Sequence, residues 1–528
     1  MVSYHSIRMN MDFLSNLLAI TGVIVLVFMY NQWRSRTKSK TTKKTKSPPE
    51  PEGAWPIIGH MHLLAGGKPI ARPLADLADK YGPIYKINLG VQPVVVVSSW
   101  EAMKECFTTN DKALASRPDS STAKYLSYNL ALFGIAPYGS YWREMRKIAM
   151  LELLSARRLE MLKHVRISEL STSIKQLYCI SSKKYGSGKG VVISEWIEQL
   201  TLNIITRMIA GKTYGEDVEA RKFRKVVKEF MFVSGDFLLS DWLPYRVLKW
   251  VDMLGKLKNI KRIMKELDLI VGSWIEEHVG RKREESKEGD EQDFIDVMLS
   301  VIDDSYTQDH TRETIIKATI LNIILAGSDT TAITLTWIMS ALLNNKHALS
   351  RAQQEIDTKV GKNTWVEESD IKNLVYLQAI VKETLRLYPP GPIAVPHQAT
   401  EDCQIGGYDI PKGTRLFPNV WKLHRDPRVW TDPDEFVPDR FLTTHAEVDV
   451  SGQQFEFTPF GSGRRACPGI GFALQVTHLT MARLLQGFDF ATPLNEPVDM
   501  TEGLGITLPK ATPLEVIVTA RLDSHLYE

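Results

Sequence analysis

One short stretch of this chain combines glycine, arginine and cysteine in a way that suits a metal-bound sulfur. Phe460-Gly461-Ser462-Gly463-Arg464-Arg465-Ala466-Cys467-Pro468-Gly469 runs directly into an apolar helical pattern, Ile470 to Leu485. The thiolate, not the thiol, binds metal, and a bare thiolate is basic and easily oxidised. Glycines let backbone N–H groups approach the sulfur. Proline suits the first turn of a helix, whose positive dipole end then faces the anion. An isolated cysteine is ordinarily an inert core thiol, and that reading is kept for Cys106, Cys179 and Cys403 as buried free thiols. The flanking residues reverse it for Cys467. Four scattered cysteines with no C-x-x-C pair argue against a disulfide framework and against structural zinc.

Three other segments carry residue types that could act together. Ala326-Gly327-Ser328-Asp329-Thr330-Thr331 lies inside a long apolar run, Arg312 to Asn344. Glycine in mid-helix costs about 1 kcal/mol relative to alanine, so Gly327 needs a reason to be there. Glu383 and Arg386 stand at i and i+3, close enough to pair on a helix. Trp142 and Arg146 stand at i and i+4, which places both on one helical face.

The cysteine segment fits F-x-x-G-x-R-x-C-x-G, with Phe460, Gly463, Arg465, Cys467 and Gly469 in place. It resembles the cytochrome P-450 superfamily, and the other three segments follow in the order that resemblance requires. The wording of Trp365 to Pro396 and of Leu474 to Leu508 is similar to the plant family numbered eighty-two. The resemblance implies a mainly α fold with small β-sheets and a haem b group, iron protoporphyrin IX, whose iron takes Cys467 as its metal ligand. It implies that Trp142, Arg146, His397 and Arg465 contact the haem propionates. Ala326 and Gly327 would border an oxygen groove where the helix widens, and Asp329 and Thr330 would be the catalytic acid–alcohol pair that passes protons. Glu383 and Arg386, with Arg440 from Pro438-Asp439-Arg440-Phe441, would form a buried structural triad.

An enzyme of this kind puts one atom of O2 into its substrate and reduces the other to water. No nicotinamide- or flavin-binding glycine fingerprint is present. Electrons therefore come from NADPH through a separate membrane-bound reductase, expected to dock where Arg143, Arg146, Lys147 and Arg464 lie. Relatives that rearrange or dehydrate hydroperoxides without O2 tend to lose the acid–alcohol pair, which this chain keeps. The resemblance places substrate contacts at Lys124 to Phe133, Phe230 to Leu239, Ile323 to Ala326, Ile393 to Val395 and Leu504 to Ile506. These are mostly apolar, so the substrate is a lipophilic small molecule. Asp236 is the only acidic residue among them, which leans toward a flavone and away from an amine; a terpenoid or alkaloid is the alternative.

Positioning these residues takes one large body, residues 57–528, since no internal linker or repeat divides it. Strands are expected at Ile84 to Leu89, at Val94 to Val97 and at Leu514 to Val518, and a continuous helix at Glu368 to Leu387. Gly280 to Gln292 reads as a surface loop. Ahead of the body, Phe13 to Tyr30 is an uncharged apolar run just long enough to span a bilayer. Residues 1–50 carry eight Lys/Arg against Asp12 and Glu50, and the rest of the chain carries 57 basic and 60 acidic side chains. The basic block follows the apolar run, as in an uncleaved anchor (residues 1–31) that keeps the body cytosolic at the endoplasmic reticulum membrane. Residues 32–56, basic and then proline-rich, read as a hinge between anchor and body. A net-acidic body is no nucleic-acid binder.

Overall fold

The computed structural model describes residues 21–22, 46–181, 190–215, 218–235, 239–242, 255–283, 292–303 and 310–528. The expected anchor, apart from residues 21–22, and the first part of the hinge lie outside the described residues, as do Asp236 and most of the Gly280 to Gln292 loop. Gly280 itself is still helical.

The architecture is mainly helical, with small separate sheets. Helix α1 (Ala71–Tyr81) precedes strands β1 (Ile84–Leu89) and β2 (Gln92–Val97), which pair antiparallel. Strand β4 (Arg415–Pro418) then lies parallel to β2, and the short β3 (His397–Gln398) closes the sheet against β4. The alternation of a strand shows in its packing: Val94 and Val96 join α1, while Val95 and Val97 join Cys106 and Leu416 on the opposite face. Strands β5 (Phe488–Ala491) and β6 (Glu515–Ala520) pair antiparallel at the C-terminal end.

The helices that frame the site are α2 (Ser140–Ile148), α3 (Ile193–Ala210), α4 (Val218–Ser234), α5 (Lys256–Arg283), α6 (Arg312–Asn344), α7 (Val375–Leu387) and α8 (Ile470–Gly487). α6 has the bounds its apolar pattern predicts. Thr311 starts it, its hydroxyl accepting from the Thr314 N–H at 3.2 Å. Among the described residues it is the one helix long and apolar enough to cross a bilayer, yet most of it is buried inside the protein. It is a core helix.

Two expectations need correction. The run from Glu368 to Leu387 is not one helix: a 3-10 turn (Glu368–Asn373) ends at Leu374, and α7 begins at Val375. The Glu355 carboxylate accepts from the N–H groups of Tyr376 and Leu377, at 2.8 and 3.0 Å. It thereby satisfies first-turn donors that a continuous helix would have used internally. The thiols also differ from expectation. All are free, but only Cys106 is buried; Cys403 is half-buried and Cys179 exposed.

The described part of the proline-rich stretch lies on the body. The Lys86 N–H donates to the Pro49 carbonyl at 2.8 Å, the His60 ring bonds the Pro51 carbonyl at 2.8 Å, the Lys46 N–H donates to the Asp409 carboxylate at 2.8 Å, and the Asp409 N–H donates to the Lys46 carbonyl at 2.9 Å. The described residues from Lys46 to Gly59 are thus part of the folded unit.

Candidate active site: a buried cationic cradle beside Cys467

Cys467 lies just ahead of α8, and its sulfur accepts from the Gly469 N–H at 3.3 Å. The Cys467 N–H donates to the Phe460 carbonyl at 2.9 Å and closes the loop. Gly463 has φ +65, and an added Cβ would fall 2.4 Å from the Asp111 carboxylate, so only glycine fits there. Burial pushes the Cys467 thiol up, opposed by the Gly469 N–H and by Arg146. A thiol so placed needs a cation to ionise, and a bound metal would supply it.

Arg146 donates to the Ala466 carbonyl at 2.8 Å, next to the cysteine. Arg465 donates to the carbonyls of Ala115, Phe133 and Ala136, at 2.6, 3.3 and 2.6 Å. The Trp142 indole is buried, with the Arg465 guanidinium 4.3 Å and that of Arg146 5.7 Å from its ring centre. His397 is buried on β3, its Nδ1 2.8 Å from the Leu114 carbonyl. Burial, aided by Arg117 and Arg465, holds its pKa well below the usual histidine range. The ring is therefore neutral, with Nδ1–H donating and Nε2 free to accept.

Arg117 completes the group and was not singled out from the sequence. It is buried and donates to the carbonyls of Val395 at 2.5 Å, Pro396 at 3.0 Å and Gly134 at 3.3 Å. No motif flags it; its meaning comes from carbonyls far away in sequence. Burial lowers the pKa of Arg117, and lowers that of Arg465 to about 9. Among the described residues no carboxylate pairs with Arg117, Arg146 or Arg465; their hydrogen bonds go to backbone carbonyls. Buried cations are ordinarily paired. A cradle of three unpaired guanidiniums beside a thiol fits a group that brings its own anions and a metal, as haem does with two propionates and iron.

The remaining predicted residues fall on α6, on α7 and, for Arg440, on the 3-10 turn Pro438–Phe441. Gly327 lies where α6 crosses α3: an added Cβ would sit 3.3 Å from Ile205 Cδ1 and 3.7 Å from Phe472 of α8. Ala326 is exposed in the middle of an otherwise buried helix. α6 runs through this region without a break, so any opening here is made by small side chains rather than by a widened backbone. Asp329 and Thr330 do not bond each other. The Thr330 hydroxyl donates to the Ala326 carbonyl at 2.6 Å, and Asp329 Oδ2 accepts from the Thr507 hydroxyl at 3.0 Å. Burial pushes the Asp329 carboxyl up to about 6, against the Thr507 hydrogen bond.

Glu383, Arg386 and Arg440 do come together, all buried. Arg386 grips Glu383 through two bonds of 2.8 and 2.9 Å, and Arg440 Nε reaches Glu383 Oε1 at 3.1 Å. Arg386 also donates to the carbonyls of His424, Pro433 and Glu435, and the Val437 N–H donates to Glu383. The triad ties α7 to the segment leading toward the cysteine loop.

The Cytochrome P450 family profile matches residues 48–516, and the chain belongs to that family. It is similar to a vinorine hydroxylase from Rauvolfia serpentina, 54% identical over 98% of this chain and all of that one. A flavonoid-6-hydroxylase from Ocimum basilicum is 50% identical over 98% of this chain and 99% of its own. A nicotine N-demethylase from Nicotiana tomentosiformis, a member of the plant family numbered eighty-two, is 49% identical over 96% and 99%. Among solved structures, a zebra fish cytochrome P450 with progesterone superposes at a TM-score of 0.71, with 26% identity over 86% of this chain and all of that one. The chain is thus a plant P450 monooxygenase of specialised metabolism, resembling family eighty-two. It uses haem and O2, takes electrons from a reductase and acts on a lipophilic substrate.

Proposed function

We propose that Cys467 Sγ is the iron ligand and that Arg117, Arg146, Arg465, His397 and the Trp142 N–H receive the two propionates. The observation that carries this is the set of three guanidiniums without a carboxylate beside the cysteine loop. Bound haem supplies the redox chemistry that activates O2, which no side chain here provides. The chain does the rest. The Gly469 N–H and Arg146 favour the thiolate, and the cradle orients the ring by its charged edge. Ala326 and Gly327 border the oxygen groove. The Asp329 carboxyl, at about pKa 6, can carry a proton near neutral pH, and the Thr330 oxygen is free to accept one. Glu383, Arg386 and Arg440 hold the core and take no part in the chemistry. The carbon monoxide difference spectrum tests the ligand: Cys467→Ala loses the thiolate-type band, and an unchanged band overturns the assignment.

The reductase docks on the Cys467 side of the molecule. Arg143, Lys147 and Arg464 are exposed there, Arg464 held by Asp111 at 3.2 Å. An acidic partner suits this face. Phe13 to Tyr30 anchors the chain in the endoplasmic reticulum membrane with the body cytosolic.

The substrate is a neutral aromatic such as a flavone, hydroxylated on its ring. The described carboxylates close to the expected pocket segments are already engaged. Asp268 accepts from the Tyr128 hydroxyl and pairs with Lys317, Asp241 caps Ser121 and Thr122, and Asp329 holds Thr507. Each already has a hydrogen-bond or ion-pair partner, which makes it a weaker anchor for an ammonium. The alkaloids named for several relatives favour a second reading, oxidation of an amine. Turnover of a flavone panel and an indole-alkaloid panel with reductase and NADPH decides between them.

A further inference from the structure

The loop from Glu502 to Leu508 is fixed at both ends and open at its tip. At one end Glu502, buried, accepts from Arg72 at 2.8 Å and from the Trp421 indole at 3.0 Å. At the other end Leu508, also buried, donates to the Pro390 carbonyl at 3.1 Å and accepts from the Trp337 indole at 2.7 Å. Between these anchors Leu504 is half exposed and Gly505 has φ +157. Gly235, just past α4, lies against the tip so closely that an added Cβ would sit 2.6 Å from the Ile506 nitrogen. The next residue is Thr507, and among the described residues its hydroxyl is the side-chain donor to the Asp329 carboxylate, at 3.0 Å.

Two charged groups also act on Asp329 without a hydrogen bond to it. Glu198 of α3 and Lys228 of α4 face it, and those two pair with each other at 2.5 Å. On its own helix, the Thr330 hydroxyl is turned back to the Ala326 carbonyl. The carboxylate is therefore held toward a loop whose tip borders the expected substrate pocket, and away from its neighbour in sequence.

We propose that Thr507 is a positioning residue, whose hydroxyl fixes the Asp329 carboxylate against the 502–508 loop and thereby governs its readiness to turn toward Thr330. The proposal rests on the reading of Asp329 as the proton-carrying group. It adds to that reading a residue from a separate element that sets how the acid behaves. A hydroxyl donating to a carboxylate stabilises the charged form. Removing it raises the pKa of Asp329, whereas burial and the Glu198–Lys228 pair remain as they were.

The test measures the pH profile of reductase-supported NADPH oxidation, and product formed per NADPH, in full-length Thr507→Val, Thr507→Ser and Asp329→Asn. A thiolate-type carbon monoxide spectrum first shows that each variant folds with its haem. Thr507→Val moves the acid-side inflection upward by about half a unit or more and lowers product per NADPH. Thr507→Ser, which keeps the donor, restores both, and Asp329→Asn removes the inflection. If Asp329→Asn keeps the wild-type inflection, the proton-carrying role fails and this inference falls with it. If Asp329→Asn removes the inflection but Thr507→Val leaves it at the wild-type position, the inference about Thr507 alone is overturned.

Discussion

Arg117 is the residue whose chemistry is least visible in the sequence and most exposed by the fold. A lone arginine between Ser116 and Pro118 has no periodicity to interpret, and its partners Val395 and Pro396 lie on a distant segment. Cys467, by contrast, is legible because its helpers are its sequence neighbours. Replacing Arg117 by Met keeps the bulk and removes a charge-assisted donor, worth roughly 1.5–3 kcal/mol. Haem should then leave about ten to a hundred times faster, followed as transfer to an excess of an apo-globin acceptor. Asp329 makes a prediction of opposite sign. Burial raises its folded pKa from the ordinary 3.8 to about 6, so the folded chain binds the proton more tightly than the unfolded chain. Its contribution is fully present at low pH and is lost as pH rises from about 4 to 6. The melting temperature of Asp329→Asn, relative to wild type, should climb across that window and stay level above it.

Elements show where sequence patterns succeed and where they stop. α6 was legible because its apolar positions run nearly all round it from Arg312 to Asn344, and the structure adds that Thr311 caps its start. The break at Leu374 was not, because the carboxylate that caps α7 is Glu355, from another helix. Spacing alone placed Glu383 beside Arg386, but Arg440 joined them only through the family pattern, since nothing local links residues 57 positions apart. Removing one member of a buried ion group costs about 3–5 kcal/mol, because the others are left unpaired. Glu383→Ala should therefore unfold the region that carries the cysteine loop. Circular-dichroism melting and loss of the thiolate band together would register it. Gly327 is a milder case. Alanine there gains helix propensity and meets Ile205 at 3.3 Å, so it should be nearly neutral, whereas valine should cost about 1–3 kcal/mol.

At the scale of the whole molecule, the proline-rich stretch belongs partly to the body, which the composition could not reveal. Proline reads as extended chain from sequence, and an extended chain either spans a gap or lies along a surface; only the fold distinguishes them. Deleting residues 1–45 should leave the melting temperature close to that of the full chain. Deleting residues 1–56 should lower it by several degrees, since it strips the contacts of Pro49 and Pro51 with Lys86 and His60. Docking at Lys46 also shortens the leash. Only residues 31–45 separate the apolar run from a fixed point beside Asp409, and 15 residues reach at most about 50 Å. With the apolar run anchored as proposed, the antiparallel pair Cys403–Ile405 and Tyr408–Ile410, which carries Asp409, would ride within that radius of the bilayer, and this narrows the faces the body could turn outward. A second anchored protein coming alongside would meet a restricted set of faces, and collisions that would otherwise be random become a search over a narrow arc.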